Sequence, residues 1–291
     1  MDTDREGTRT GPSPLLRPCS AVLVCGCCVL LCVSPARAWV QATTEEAPHR
    51  PLHVADSNCL QYVVAAGCSA DVPSDDCLVA VTLGMRAWDL RGSHFRFRPT
   101  PEVTCCGAGY ERDWTNTNCV EWREDRWPGE YGASTIALTT LTYDPANGAI
   151  LDADVELNGV GYRFGTDCSA DVMDIQNTIA HEAGHMLGLD HTDVFGATMR
   201  VYSGPGDCSL RDLAPDDVEG ATTLYPYAAD PGVCQPPHGG LNADCSDPPP
   251  DPGSCGCRAP GSQPGPAASL VALAFVVVAF RIRRRRSRPV R

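Results

Sequence analysis

The 291-residue chain has no lysine; all 23 basic residues are Arg, a compositional bias from which no function is read. It also has no basic body. Seven Arg and no acid lie in residues 281–291, which leaves residues 39–280 with a net charge of −21. A body that acidic lacks the basic patch needed to hold phosphates, so nucleic acid is excluded as a partner. Ten Cys lie between Cys59 and Cys245, and no two of them form a CxxC pair. That excludes a zinc ribbon or a thioredoxin-like site. There is no internal repeat, and no apolar run is long enough to span a bilayer comfortably.

The composition that remains is globular: 43% hydrophobic and 20% charged residues suffice for a packed core. An even number of irregularly spaced Cys predicts up to five disulfides in an oxidising compartment, with connectivity left open.

Residues 1–38 are expected to be an export signal. Ala21–Val33 is apolar, Arg17 precedes it, and Ala36-Arg37-Ala38 has the small-x-small form of a cleavage site. A lipoprotein-type cut at Cys25 or Cys27 is the alternative. A short segment, 39–53, leads into a mixed domain over 54–229. Residues 230–266 contain ten Pro and seven Gly, so a linker begins at 230; Cys234 and Cys245 are candidates to staple a loop in it. The apolar run Ala267–Phe280 and the Arg cluster follow, in stop-transfer order, with the Arg side resisting translocation.

Within 54–229 the pattern alternates. Leu60–Ala65, Phe95–Phe97, Val120–Trp122, Thr135–Leu141 and Ile150–Leu157 read as strands. Ser74 is placed to cap a helix through Asp89, with Leu78, Val81, Met85 and Trp88 inward. Ile150–Leu157 alternates apolar and acidic residues, as a half-buried strand does.

Chemistry concentrates in Ile175–Met199, IQNTIAHEAGHMLGLDHTDVFGATM. Val172, Ile175, Ile179, Ala183 and Met186 share one helical face. His181 and His185, at i and i+4, project together from another, as two ligands of one zinc ion do. Glu182 is aimed beside them, within reach of a water. His191 lies six residues on, about 600° and about 9 Å along a continuing helix, which would carry it away. Gly188 supplies the break, because glycine takes a left-handed conformation cheaply at a helix end. Three neutral His and one water make a catalytic zinc site with an open position.

HEAGHMLGLDH resembles the long zinc motif HExxHxxGxxH of the metzincin metallopeptidases. Met199, eight residues after His191, looks like the Met-turn, a packing residue below the metal. That gap, Thr192 and LAPDDVEGATTLYPY (Leu213–Tyr227) are most similar to the matrixin branch. The resemblance implies an α+β fold: a twisted mixed sheet, two long helices and a C-terminal helix after the Met-turn. It implies that Thr135–Leu141, with Ile136, Ala137 and Leu138, is an antiparallel edge strand pairing with extended substrate. Tyr202 or Arg200 would line the pocket for the residue after the cut. Asp144, Asp152 and Asp154 are candidate Ca²⁺ ligands, with solvated turn and strand acids as the alternative. His49, His53, His94 and His238 are too scattered for a second zinc. No PRCGxPD-type segment occurs, and Tyr202 is one residue too far from Met199 for a tyrosine ligand of the astacin kind. A Cys168–Cys208 bridge, if formed, would clamp both halves of the site.

The tail has its own resemblance. SCGCR (Ser254–Arg258), an apolar run and an Arg cluster are similar to the myxobacterial C-terminal sorting signal of the MYXO-CTERM type. Cys255 or Cys257 would be the processed residue, with a plain membrane anchor as the alternative. The sequence therefore points to an exported zinc endopeptidase acting on protein or peptide, held at the cell surface through its tail or released from it. His181, His185 and His191 would hold Zn²⁺ and Glu182 would be the general base. The rival class is a non-catalytic, metal-stabilised adhesion or binding module. Glu182 argues against it, since a structural site needs no base.

Overall fold

A computed structural model of the chain describes residues 22–24, 27–29, 38–101, 103, 106–244 and 269–276. Two units divide between Arg37 and Ala38. In the first, β1 (Val22–Val24) and β2 (Cys27–Val29) form an antiparallel pair. The remainder of the expected export signal, and Cys245, Cys255, Cys257 and the Arg cluster, lie outside the described residues.

The second unit is α+β. In chain order its elements are β3 (Val40–Gln41), β4 (Cys59–Val64), α1 (Ser74–Arg86), β5 (Arg96–Pro99), β6 (Asn118–Trp122), β7 (Thr135–Tyr143), β8 (Ile150–Leu157), β9 (Phe164–Gly165), β10 (Met173–Asp174), α2 (Ile175–Met186), β11 (Leu189–Asp190), α3 (Pro215–Leu224) and β12 (Ser269–Val276). Six strands form one mixed sheet in the order β12-β7-β8-β6-β4-β5. β4, β5, β6 and β8 run parallel to one another, and β7 is antiparallel to both β8 and β12.

α1 and α2 pack together, and the core between them and the sheet holds Val81, Met85, Trp88, Ile179, Ala183 and Met186, all buried. Each such large side chain contributes about 1.5–3 kcal/mol on leaving water. The helices approach at Gly84, where a Cβ would lie 2.8 Å from the Ile179 Cβ.

Several expectations need correction. Ser74 opens α1 rather than capping it. Pro73 holds the cap position, and the Ser74 hydroxyl donates instead to the Gly67 carbonyl. The inward face is Cys77, Ala80, Val81, Gly84 and Met85, with Leu78 exposed. Cys77, on that face, is bonded to Cys68. Cys234 bonds to Cys59, so it does not staple a loop with Cys245; residues after 230 are tied back to β4. The apolar tail run is a strand over Ser269–Val276, and no helix among the described residues is long and apolar enough to cross a membrane. β7 is therefore not an open edge, because β12 covers it.

β8 departs most from its pattern. Ala153, Val155 and Leu157 are buried as expected, but Asp152, Asp154 and Glu156 are buried too. The acids are covered and bonded. Backbone N–H groups of Cys119 and Gly109 donate to Asp154 at 2.8 and 2.7 Å, and Arg123 pairs with Glu156 at 2.6 Å. Asp152 Oδ1 is buried with no hydrogen-bond partner among the described residues. Burial pushes Asp154 up to about 7, against the two N–H donors that hold it down. Burial, then the neighbouring Asp154 charge, raises Asp152 well above the usual carboxylate range. Asp144 is occupied elsewhere, accepting from the Ala146 N–H in its own turn.

Candidate metal centre

α2 begins at a built cap. Asp174 accepts from the Asn177 N–H at 2.8 Å, satisfying one of the unpaired first-turn donors. The Arg211 guanidinium reaches both Asp174 oxygens. Asn177 in turn holds the Leu210 N–H and the Ser203 hydroxyl. Cys168 and Cys208 are bonded, as expected. The stretch 203–211 is thus latched to the start of the helix that carries the site.

That helix ends at Met186, and Gly188 has φ +88°, in the left-handed region. Space and backbone agree there: a Cβ at Gly188 would meet the Leu52 carbonyl oxygen at 2.5 Å. The chain then reverses into β11, which pairs with β3, and the Ala42 N–H donates to the Gly188 carbonyl.

The reversal delivers His191. The Nε2 atoms of His181 and His185 are 3.1 Å apart, and each is 3.2 Å from that of His191. Four ligands placed tetrahedrally at a Zn–N distance of 2.0–2.1 Å stand about 3.3 Å apart, so the triad has the spacing zinc requires. Two of the other ring nitrogens are hydrogen-bonded. His181 Nδ1 donates to the Thr198 carbonyl at 2.6 Å and His185 Nδ1 to the Leu189 carbonyl at 2.8 Å. His191 Nδ1 lies 3.9 Å from Asp190. The two carbonyl bonds fix the tautomers of His181 and His185 and turn their Nε2 lone pairs toward His191 Nε2, an arrangement suited to a cation. Burial lowers all three imidazoles, His185 to about 3. They stay neutral and able to ligate. Cys168, Asp174 and Cys208 also lie together, but the two sulfurs are joined to each other.

Glu182 is fully buried. Its Oε2 accepts from the Thr139 hydroxyl at 2.5 Å, and its Oε1 has no hydrogen-bond partner among the described residues. Burial pushes the carboxyl up to about 8, with the Thr139 bond acting against it. Met199 is buried under the helix, and a Cβ at Gly184 would collide with its sulfur. Sequence reasoning missed two supports. Thr139 gave no signal beyond β propensity. Asp217 accepts from the Thr198, Met199 and Ala214 N–H groups and so pins the turn below the site to α3; an acid in a first helical turn was its only trace. Tyr202 is half exposed, and its carbonyl accepts from Arg200, whose guanidinium lies 5.3 Å from the Phe195 ring centre.

The family described as Matrixin matches residues 110–226. Metalloendoproteinase 5-MMP of Arabidopsis thaliana is 43% identical over 54 residues, 19% of this chain and 15% of that protein. Metalloendoproteinase 4-MMP of the same plant is 31% identical over 101 residues, 35% and 29% respectively. The chain thus aligns with less than a third of either relative's length. In general terms, these similarities and the histidine triad support a zinc metalloprotease.

Proposed function

We propose that this chain is an exported zinc endopeptidase of matrixin-like type. One observation carries the reading: three Nε2 atoms converge within 3.2 Å while the Nδ1 atoms of His181 and His185 bond to backbone carbonyls. Zinc bound there supplies a Lewis acid that polarises the scissile carbonyl and makes a water nucleophilic near neutral pH. Glu182 takes the proton of the attacking water and returns it to the leaving amine nitrogen. Thr139 holds one carboxylate oxygen, which leaves the other for that transfer. The substrate is an extended protein or peptide segment paired along β7 through Ile136, Ala137 and Leu138. Tyr202 lines the pocket beyond the cut. Met199 packs and does not ligate.

Localisation is part of the proposal. The segment before Trp39 is an export signal, and the tail holds the domain at the cell surface or is cut near Cys255 or Cys257. Peptide-library cleavage by the purified chain, with and without chelator, tests the activity. Chelator-sensitive internal cleavage supports it, and no cleavage by zinc-loaded protein refutes it.

A further inference from the structure

β7 reaches the centre of the site, because Thr139 bonds to Glu182. One long edge of β7 pairs with β8. The other pairs with residues of the chain's own tail. Ser269 lies opposite Tyr143, Leu273 opposite Thr139, and Val276 opposite Thr135, antiparallel throughout, with one irregularity between Phe275 and Val276. The middle of the tail strand is therefore in register with the residue that holds the general base.

The segment suits that place. SLVALAFV has no charge, no Pro and no Gly, and it is apolar from Leu270 onward. An uncovered edge strand is a row of unpaired N–H and C=O groups, which an extended segment satisfies by adding a strand. The intervening Pro/Gly-rich stretch makes that pairing intramolecular. Covalent linkage of this kind gives an effective concentration of about 1 mM, so a strand with an intrinsic Kd of about 100 μM would occupy the edge roughly ten parts in eleven.

We infer that Ser269–Val276 is a cis-acting occupant of the substrate edge, which keeps the peptidase closed until the tail is removed. The inference rests on the proposed reading of β7 as the strand that pairs with substrate. A peptide reaching Glu182 along β7 has to displace the tail, because both use the same backbone groups.

The test compares the full chain with a variant in which Ala272 and Leu273 are both changed to Pro, in buffer without detergent. The two positions are adjacent, so one of the two N–H groups removed points at β7. Two readouts are taken: hydrogen exchange of the β7 amides and kcat/KM on a peptide. The expected result is faster exchange on the β12 side of β7 and about a tenfold rise in kcat/KM. A synthetic peptide of residues 267–286 should reverse both, as a competitive inhibitor. Unchanged exchange and unchanged kcat/KM overturn the inference, whatever the absolute activity. Faster exchange with no peptidase activity in either chain overturns the peptidase reading, and the inhibitory role with it, leaving only the strand pairing.

Discussion

The Thr139 hydroxyl on β7 donates to Glu182 Oε2 on α2 across 2.5 Å, joining the sheet to the helix that carries two of the three imidazoles. Burial alone would favour the protonated carboxyl, and this bond works against it. Thr139 is a positioning residue, acting through Glu182. Thr139→Val should lower kcat about tenfold, the scale of one lost hydrogen bond to a charged group. KM and zinc content should hold, and Thr139→Ser should restore most of the rate. Steady-state kinetics on the two variants decides this; parent-rate turnover by Thr139→Val would mean that the hydroxyl does not position the base.

Gly188→Val should weaken zinc binding without touching the metal. The left-handed φ and the nearby Leu52 carbonyl both oppose a branched side chain. The reversal that returns His191 would then be strained. Zinc content after dialysis is the measurement, and full occupancy contradicts the account.

The two buried acids on β8 predict a pH dependence. Asp154 keeps its proton up to about 7 in the folded chain, against 3.8 ordinarily. Between those values the folded state holds a proton that the unfolded state has lost, so stability falls as pH rises through the window. Asp152→Asn removes a charge whose burial is unfavourable. It should stabilise the protein by about 1 kcal/mol or more at pH 8 and by less at pH 5. Urea unfolding at both pH values, with zinc present and calcium absent, tests this. An identical shift at the two pH values would show that the pair does not titrate in that range.

How much could be read in advance depended on range along the chain. The zinc triad was legible because its logic is local: an i, i+4 pair, a glycine break and a third imidazole within eleven residues. The α2 core face and strands β4, β6, β7 and β8 were legible from periodicity and β propensity. What failed depended on distant partners. The acids of β8 read as solvated because nothing nearby announces the cover from Gly109, Cys119 and Arg123. Thr139 and Glu182 are 43 positions apart, and no spacing rule links them. The Cys234 partner lies 175 residues away.

The Cys168–Cys208 bridge closes a loop of 40 residues across the site. Replacing both Cys by Ser should cost about 3–4 kcal/mol on the chain-entropy account. The segment 203–211 should loosen first, since hydrogen bonds, chiefly those of Asn177 and Asp174, then hold it without a covalent link. Denaturant unfolding under non-reducing conditions gives the loss, and a change below about 1 kcal/mol would assign the clamp to the hydrogen bonds instead.

The central claim is that Glu182 moves the proton while the three imidazoles hold the metal. Glu182→Gln separates these roles, because ligation does not use that carboxylate. Zinc content and peptide cleavage are measured on the same preparation. The account predicts about one zinc per chain, unchanged folding and a loss of nearly all turnover. Cleavage at the parent rate by the zinc-loaded variant would contradict it.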